Sequence, residues 1–169
     1  MTDNNMLRGD RGLAFVQVYR VDFDATLLES ARVCTELSAL ALARAGTDWA
    51  AEIDLGLTEA LTNVVLHAYG KDRAGRITMD CIEAGDEWLL TLDDQGKSIP
   101  EDRLHAADGS VFDFDPLDLQ SIPEGGMGLT LIRHYFDQMD YTAADHGNRM
   151  RLAKHLPAPA ARAIRESSP

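Results

Sequence analysis

The stretch Ile53-Asp-Leu-Gly-Leu-Thr-Glu-Ala-Leu-Thr-Asn-Val-Val-Leu-His-Ala-Tyr69 reads as one helix with two unlike sides. Leu57, Leu61, Val64, Val65 and Ala68 recur at spacings of three and four, which makes an apolar stripe that must face a core. Glu59, Asn63 and His67 lie four residues apart on another stripe, so a carboxylate, a carboxamide and an imidazole stack one turn above the next. Taken alone, that second stripe is either a functional site or the solvated face of an ordinary amphipathic helix.

The surrounding composition sets bounds. The chain has 169 residues, 45% hydrophobic and 26% charged, which suits one globular domain with a normal core. A formal net charge of −12 disfavours a nucleic-acid backbone or an anionic membrane as partner and favours a basic protein surface. Cys34 and Cys81 have no metal-ligand or Cys-x-x-Cys spacing and read as free thiols. The five histidines show no ligand clustering, and His67 reads as an orienting or core residue. With no apolar leader or run of eighteen apolar residues, the expected location is the cytoplasm.

Outward from the central helix, Leu13 to Phe23 is rich in aromatic and β-branched residues and predicts a strand. Asp24 or Thr26 caps a helix over about Leu27 to Ala45, which Gly46 ends. Ile77, Met79 and Cys81 alternate with polar residues, as do residues of Trp88 to Leu92, and Glu83 to Glu87 joins them as a hairpin. Regularity then fails from about 97 to 124, a length that suits a lid. A helix follows Gly125-Gly126-Met127-Gly128, with Leu129, Ile132, Phe136 and Met139 as its buried stripe. Tyr141 to Asp145 and Met150 to His155 pair across His146-Gly147-Asn148. The expected domain is 13–156, with 1–12 a flexible N-terminus and 157–169 a disordered tail.

Three stretches carry chemistry. A glycine-rich helix start offers unpaired N–H groups and the positive end of a dipole to a phosphate, although the same residues also make a simple hinge. Asp94 at a strand end can accept a hydrogen bond from an exocyclic amine such as that of adenine, with Gly96 making room for a flat ring; a plain Asp-x-Gly turn is the alternative. Asn63 can give a neutral oxygen to Mg²⁺, and Glu59, one turn earlier, can take a proton from an attacking hydroxyl.

The order Glu-Ala-x-x-Asn-x-x-x-His-Ala-Tyr (Glu59 to Tyr69), Asp-x-Gly (Asp94 to Gly96), a long lid, then Gly-Gly-Met-Gly-Leu-Thr-Leu-Ile (Gly125 to Ile132) resembles the N, G1 and G2 boxes of the GHKL ATPases. The closing run Gln138 to Leu156 is similar to the anti-sigma-factor serine/threonine kinases within that superfamily. The resemblance implies an α/β two-layer sandwich, a mixed, mostly antiparallel sheet with helices on one face. It implies ATP as cofactor, Mg²⁺ held by Asn63, adenine read by Asp94 and Gly96, and a phosphate end shaped by Gly126, Met127, Gly128 and Leu129. Glu59 is then the general base. The implied reaction is transfer of the γ-phosphoryl group to a serine or threonine of a STAS-domain antagonist, with a sigma factor as competing partner and a homodimer as the assembly.

Two features depart from that pattern. Pro123-Glu124 stands where many members carry an arginine, and an acid there repels a triphosphate; Lys97 and Arg103 are candidate replacements. Ser98 stands where a second glycine is common. A nucleotide-gated binding module that sequesters a regulator without transfer is therefore the alternative function. A histidine autokinase is not expected, since the residues before the match leave no room for a phosphoacceptor helix pair.

Overall fold

Strand β2 (Ala14–Asp24) alternates its side chains across a sheet, and Thr26 after it accepts the N–H of Glu29 at 3.1 Å to start helix α1 (Leu27–Ala45). The computed structural model describes residues 6–8, 14–70, 74–106 and 127–158. Helix α2 (Thr47–Asn63) begins immediately after Gly46, whose φ of +89° lets one residue close α1 and open α2. The helix thus starts six residues earlier than the periodicity predicts, because Trp49 and Ala50 extend its buried side beyond the regular stripe.

The chain then continues from α2 as a π-helical segment, Val64–Tyr69, closed by Gly70 N–H donating to the Val65 carbonyl at 3.1 Å. Strands β3 (Arg76–Ala84) and β4 (Glu87–Asp94) form the expected hairpin through Gly85, which has a φ of +67°. A short helix α3 (Glu101–Ala106) lies within the segment expected to be a lid; the rest of that segment, from 107, falls outside the described residues. Helix α4 (Met127–Tyr135) is followed by β5 (Gln138–Ala144) and β6 (Gly147–His155).

Met139 belongs to β5 and not to the stripe of α4. The helix stops at Tyr135, and Asp137 N–H already pairs with the Ala153 carbonyl at 2.9 Å, so the strand begins three residues before the predicted Tyr141. Residues Met6–Arg8 form a strand, β1, on β2, inside the segment expected to be flexible. The expected disordered tail lies almost wholly outside the described residues.

The six strands run in the order β1-β2-β3-β4-β6-β5, and every pairing among the described residues is antiparallel, the limiting case of the mostly antiparallel sheet expected. Hairpin connections suffice for three of these pairings, so no parallel crossover is needed there. One face carries Ile77, Met79, Leu90, Leu92 and Leu152, all essentially inaccessible, against Val33, Leu37, Ile53, Leu57 and Leu61 of α1 and α2. Each such side chain contributes roughly 1.5–3 kcal/mol by leaving water. The two tryptophans meet edge to face with centroids 4.8 Å apart, and Trp49 Nε1 donates to the His155 carbonyl at 2.7 Å. Gly56 lets α4 close on α2, since a Cβ there would lie 2.6 Å from the Phe136 ring. Lys154 fastens the far end of α4, with Nζ 2.5 Å from the Tyr135 carbonyl and 2.6 Å from Glu52 Oε2. The other face of the sheet carries ion pairs such as Arg149–Asp93 at 2.6 Å.

Candidate functional site

The packing of α4 against α2 brings the glycine-rich helix start onto the polar stripe. Residue 128 faces the two predicted side chains so closely that a Cβ there would lie 3.0 Å from Asn63 Nδ2, 3.1 Å from Asn63 Oδ1 and 3.2 Å from Glu59 Oε2. Only a glycine leaves this space open. Asn63 Nδ2 is buried without a hydrogen-bond partner among the described residues, an unusual state for a carboxamide and one that a ligand would relieve. His67 is exposed at the rim of the same cleft, so the core reading of it is corrected: the π-helical turn carries Leu66 and His67 outward while Val65 and Ala68 face inward.

This cleft has a volume of about 530 Å³, within the range of small-molecule and cofactor sites. Met127, Gly128 and Leu129 line it from α4, as do Glu59 and Asn63 from α2, Asp94 from β4 and Met150 from β6. Gly126 lies outside the described residues. Lys97 and Arg103 also line the cleft, putting two cations in a wall that also carries the acids Glu59 and Asp94 and the neutral polar residues Thr62, Ser98 and Tyr141. Among the described residues no three His, Cys, Asp or Glu side chains converge as a metal cage. A cation at Asn63 would therefore draw most of its ligands from phosphate and water, which is how Mg²⁺ is commonly held. The orphaned Nδ2 donor and the open space at Gly128 fit a phosphate oxygen of a nucleotide, and Oδ1 at the other end of the amide fits a cation carried with it.

Asp94 is 8% exposed and sits at the end of β4, where Gly96 N–H donates to its Oδ1 at 2.7 Å. Asn148 Nδ2 donates to the same oxygen at 2.9 Å. Burial pushes the Asp94 carboxyl above the usual carboxylate range, while the Asn148 and Gly96 donors pull it back. Gly96 is held against the helix side: a Cβ there would lie 2.5 Å from the Ala68 Cβ and 2.7 Å from the Ala68 carbonyl oxygen, and the next residue, Lys97, donates its N–H to that oxygen at 2.8 Å. Its missing side chain lets the turn after β4 lie on the π-helical segment.

Three contributors were not found from the sequence. Tyr69 accepts the Gln95 N–H at 2.8 Å and donates to the Arg76 carbonyl at 2.9 Å, and its ring occupies the place a Cβ of Gly75 would fill. Tyr141 accepts the Ile99 N–H at 2.9 Å. Asn148, read only as part of a hairpin turn, is the residue that holds Asp94. No local signal marks it; the β4–β6 register sets Asn148 opposite Asp94, so both fall on the same face of the sheet.

An antiparallel sheet covered on one face, with an Asn/Glu stripe meeting a glycine-started helix over a buried aspartate, defines a histidine kinase-like ATPase domain. The family model of that description matches residues 23–154, and the chain belongs to this family. Within it, the chain falls in the anti-sigma-factor serine/threonine kinase group of the GHKL ATPases. It is 30% identical over 106 residues to an anti-sigma F factor of Anoxybacillus flavithermus, covering 62% of this chain and 68% of the relative. It is 31% identical over 105 residues to the serine-protein kinase RsbW of Halalkalibacterium halodurans, covering 62% of each. Among solved structures, the RsbU and RsbW domains of a Mycobacterium tuberculosis protein share the fold with a TM-score of 0.56 at 20% identity, covering 84% of this chain and 34% of that one. No helix among the described residues is long and apolar enough to cross a membrane.

Proposed function

We propose that this protein is a Mg²⁺- and ATP-dependent protein serine/threonine kinase that works as a partner switch. It phosphorylates a STAS-domain antagonist, with a sigma factor as the competing partner. The observation that supports the reading is that the Gly128 position faces both Asn63 and Glu59, with room only for a residue that has no side chain. This arrangement sets an unsatisfied carboxamide and a carboxylate side by side at the start of α4. A site for nucleotide alone has no evident need for the carboxylate.

In this reading Asp94 accepts the exocyclic amine of adenine, and the N-terminal N–H groups of α4, from Met127 and Gly128, receive the phosphate end. Asn63 would hold Mg²⁺, which when bound neutralises charge on the phosphate oxygens. Glu59 takes the proton from the acceptor hydroxyl as the new P–O bond forms and the bond to the departing ADP breaks. Lys97 and Arg103 offer positive charge at the cleft in place of the arginine that Glu124 displaces. The gain of negative charge on the antagonist then weakens its hold on an acidic protein.

The test is an intact-mass measurement on each STAS-domain protein of the same organism after incubation with the full chain and Mg-ATP. One added phosphate on one of them, absent with Glu59→Gln, is expected. Bound ATP with every candidate unmodified would overturn transfer and leave a nucleotide-gated binding module.

A further inference from the structure

Asn148 is 4% exposed, and its side chain spends its polar groups on the protein. Nδ2 donates to Asp94 Oδ1 at 2.9 Å and to the Gly96 carbonyl at 3.1 Å, while Oδ1 accepts from Ser98 Oγ at 2.7 Å. The Gly96 carbonyl and the Asp94 carboxylate only accept, so they fix which end of the carboxamide points at Asp94, and the Ser98 hydroxyl braces the other end by donating to Oδ1. Asp94 Oδ1 thereby receives two donors, the second being Gly96 N–H at 2.7 Å. Oδ2 has no protein donor among the described residues and belongs to a side chain that lines the cleft.

We infer that Asn148 is a positioning residue for base selection, holding Asp94 as an oriented acceptor so that the cleft takes a 6-amino purine and rejects a 6-oxo one. The inference rests on the nucleotide-binding reading above and goes beyond it by naming what sets the choice of base. An ionised carboxylate only accepts hydrogen bonds. Opposite adenine it meets an N–H; opposite hypoxanthine it meets a carbonyl oxygen, two acceptors facing each other at a buried place. The discrimination therefore depends on Asp94 staying ionised and on Oδ2, the oxygen without a donor among the described residues, staying free for the ligand. Asn148 serves both, since its N–H stabilises the charged form and anchors the other oxygen. Ser98, which departs from the glycine common at that place, acts through Asn148.

Without the amide donor, burial favours the protonated carboxyl, and a protonated Asp94 donates to a 6-oxo group. The other titratable groups around it are Asp93 beside it on β4, Tyr141 on β5, Lys97 after the turn, and Glu59 and His67 across the cleft on the helix side. Of these, Asp93 is bound to Arg149 on the opposite face of the sheet.

The experiment is calorimetric titration of the full chain with Mg-ATP and with Mg-ITP, the inosine analogue, across pH 5.5–8. Wild type is expected to prefer ATP by on the order of 100-fold, the usual scale for leaving a charged buried acceptor unpaired. Asn148→Leu is expected to bring that preference below about 10-fold and to weaken it further toward low pH, where ITP gains on ATP. Ser98→Ala is expected to shift the ratio in the same direction by about threefold, with melting unchanged; it keeps the test open if Asn148→Leu fails to fold. Asn148→Thr, which restores a donor, is expected to recover most of the preference. An ATP/ITP ratio that stays within about twofold of wild type in both Asn148→Leu and Ser98→Ala, or in Ser98→Ala alone if the leucine variant does not fold, would overturn the inference and leave nucleotide binding standing. Equal wild-type affinity for the two nucleotides would do the same. Wild type binding neither would remove the nucleotide reading, and this inference with it.

Discussion

Gly128 and Asn63 are fitted to each other: the space a methyl group would take on residue 128 begins 3.0 Å from Asn63 Nδ2. That distance is tighter than ordinary van der Waals contact, so a side chain at 128 must displace the carboxamide. Gly128→Ala is expected to weaken Mg-ATP binding about tenfold or more while the melting temperature stays level or rises, because alanine is the better helix residue by up to ~1 kcal/mol. Calorimetry and a thermal melt on the same sample decide it. Unchanged affinity would show that the Asn63–Gly128 contact is packing only.

Glu59 and Asn63 lie one turn apart and are expected to separate by readout. Glu59→Gln keeps the shape and removes the basic oxygen, so ATP affinity should change by less than about threefold while phosphoryl transfer falls by about two to four orders of magnitude. Transfer is followed with labelled ATP and the antagonist identified by mass.

Asn63→Ala removes the neutral oxygen that faces the Gly128 position, 3.1 Å from where a Cβ would stand. The expected loss is in the magnesium dependence: titrations with and without Mg²⁺ should give nearly the same ATP affinity for the variant and different affinities for wild type. An undiminished Mg²⁺ effect in the variant would place the metal ligand elsewhere.

Gly96→Ala tests the close approach of that glycine to Ala68. A methyl group there meets the Ala68 carbonyl carbon and oxygen at 2.7 Å, both backbone atoms of a helix that cannot swing aside. The expected cost is about 1–3 kcal/mol, the range of overpacking, which lowers the melting temperature by roughly 2–4 °C per kcal/mol in a chain of this size. A melt within 1 °C of wild type, an estimate of experimental scatter on that scale, would contradict the close approach.

The hydrogen bond to Asp137 at 3.1 Å raises the His155 pKa, with nearby acids adding to it. A raised folded-state value means that this contribution to stability is fully present below the unfolded histidine pKa and is lost as pH rises through the folded value. Proton NMR should show the His155 titration midpoint falling in Asp137→Asn.

Most of the architecture was legible because its signals are local. Period-two runs gave β3 and β4, Thr26 and Gly46 gave the ends of α1, and the Glu59/Asn63 stripe was visible from helical spacing. The glycine at 128 was legible as a helix start, but its contact with Asn63 needed the packing of α4 on α2. What escaped the sequence depends on long-range pairing. Asn148 looks like any turn residue until the β4–β6 register sets it opposite Asp94, 54 positions away. The approach of Gly96 to the π-helical turn at Ala68 has no local signal in the sequence. Met139 was assigned to a helix because an apolar residue at the right interval satisfies both periods, and only the start of sheet pairing at Asp137 decides between them.

The fastening of Lys154 has a mechanical meaning. It binds the last carbonyl of α4 and a carboxylate near the start of α2, so the two helices are tied together at the end away from the cleft. The alignment of Gly128 with Asn63 thus depends on a tie made at the opposite end of the two helices that carry them.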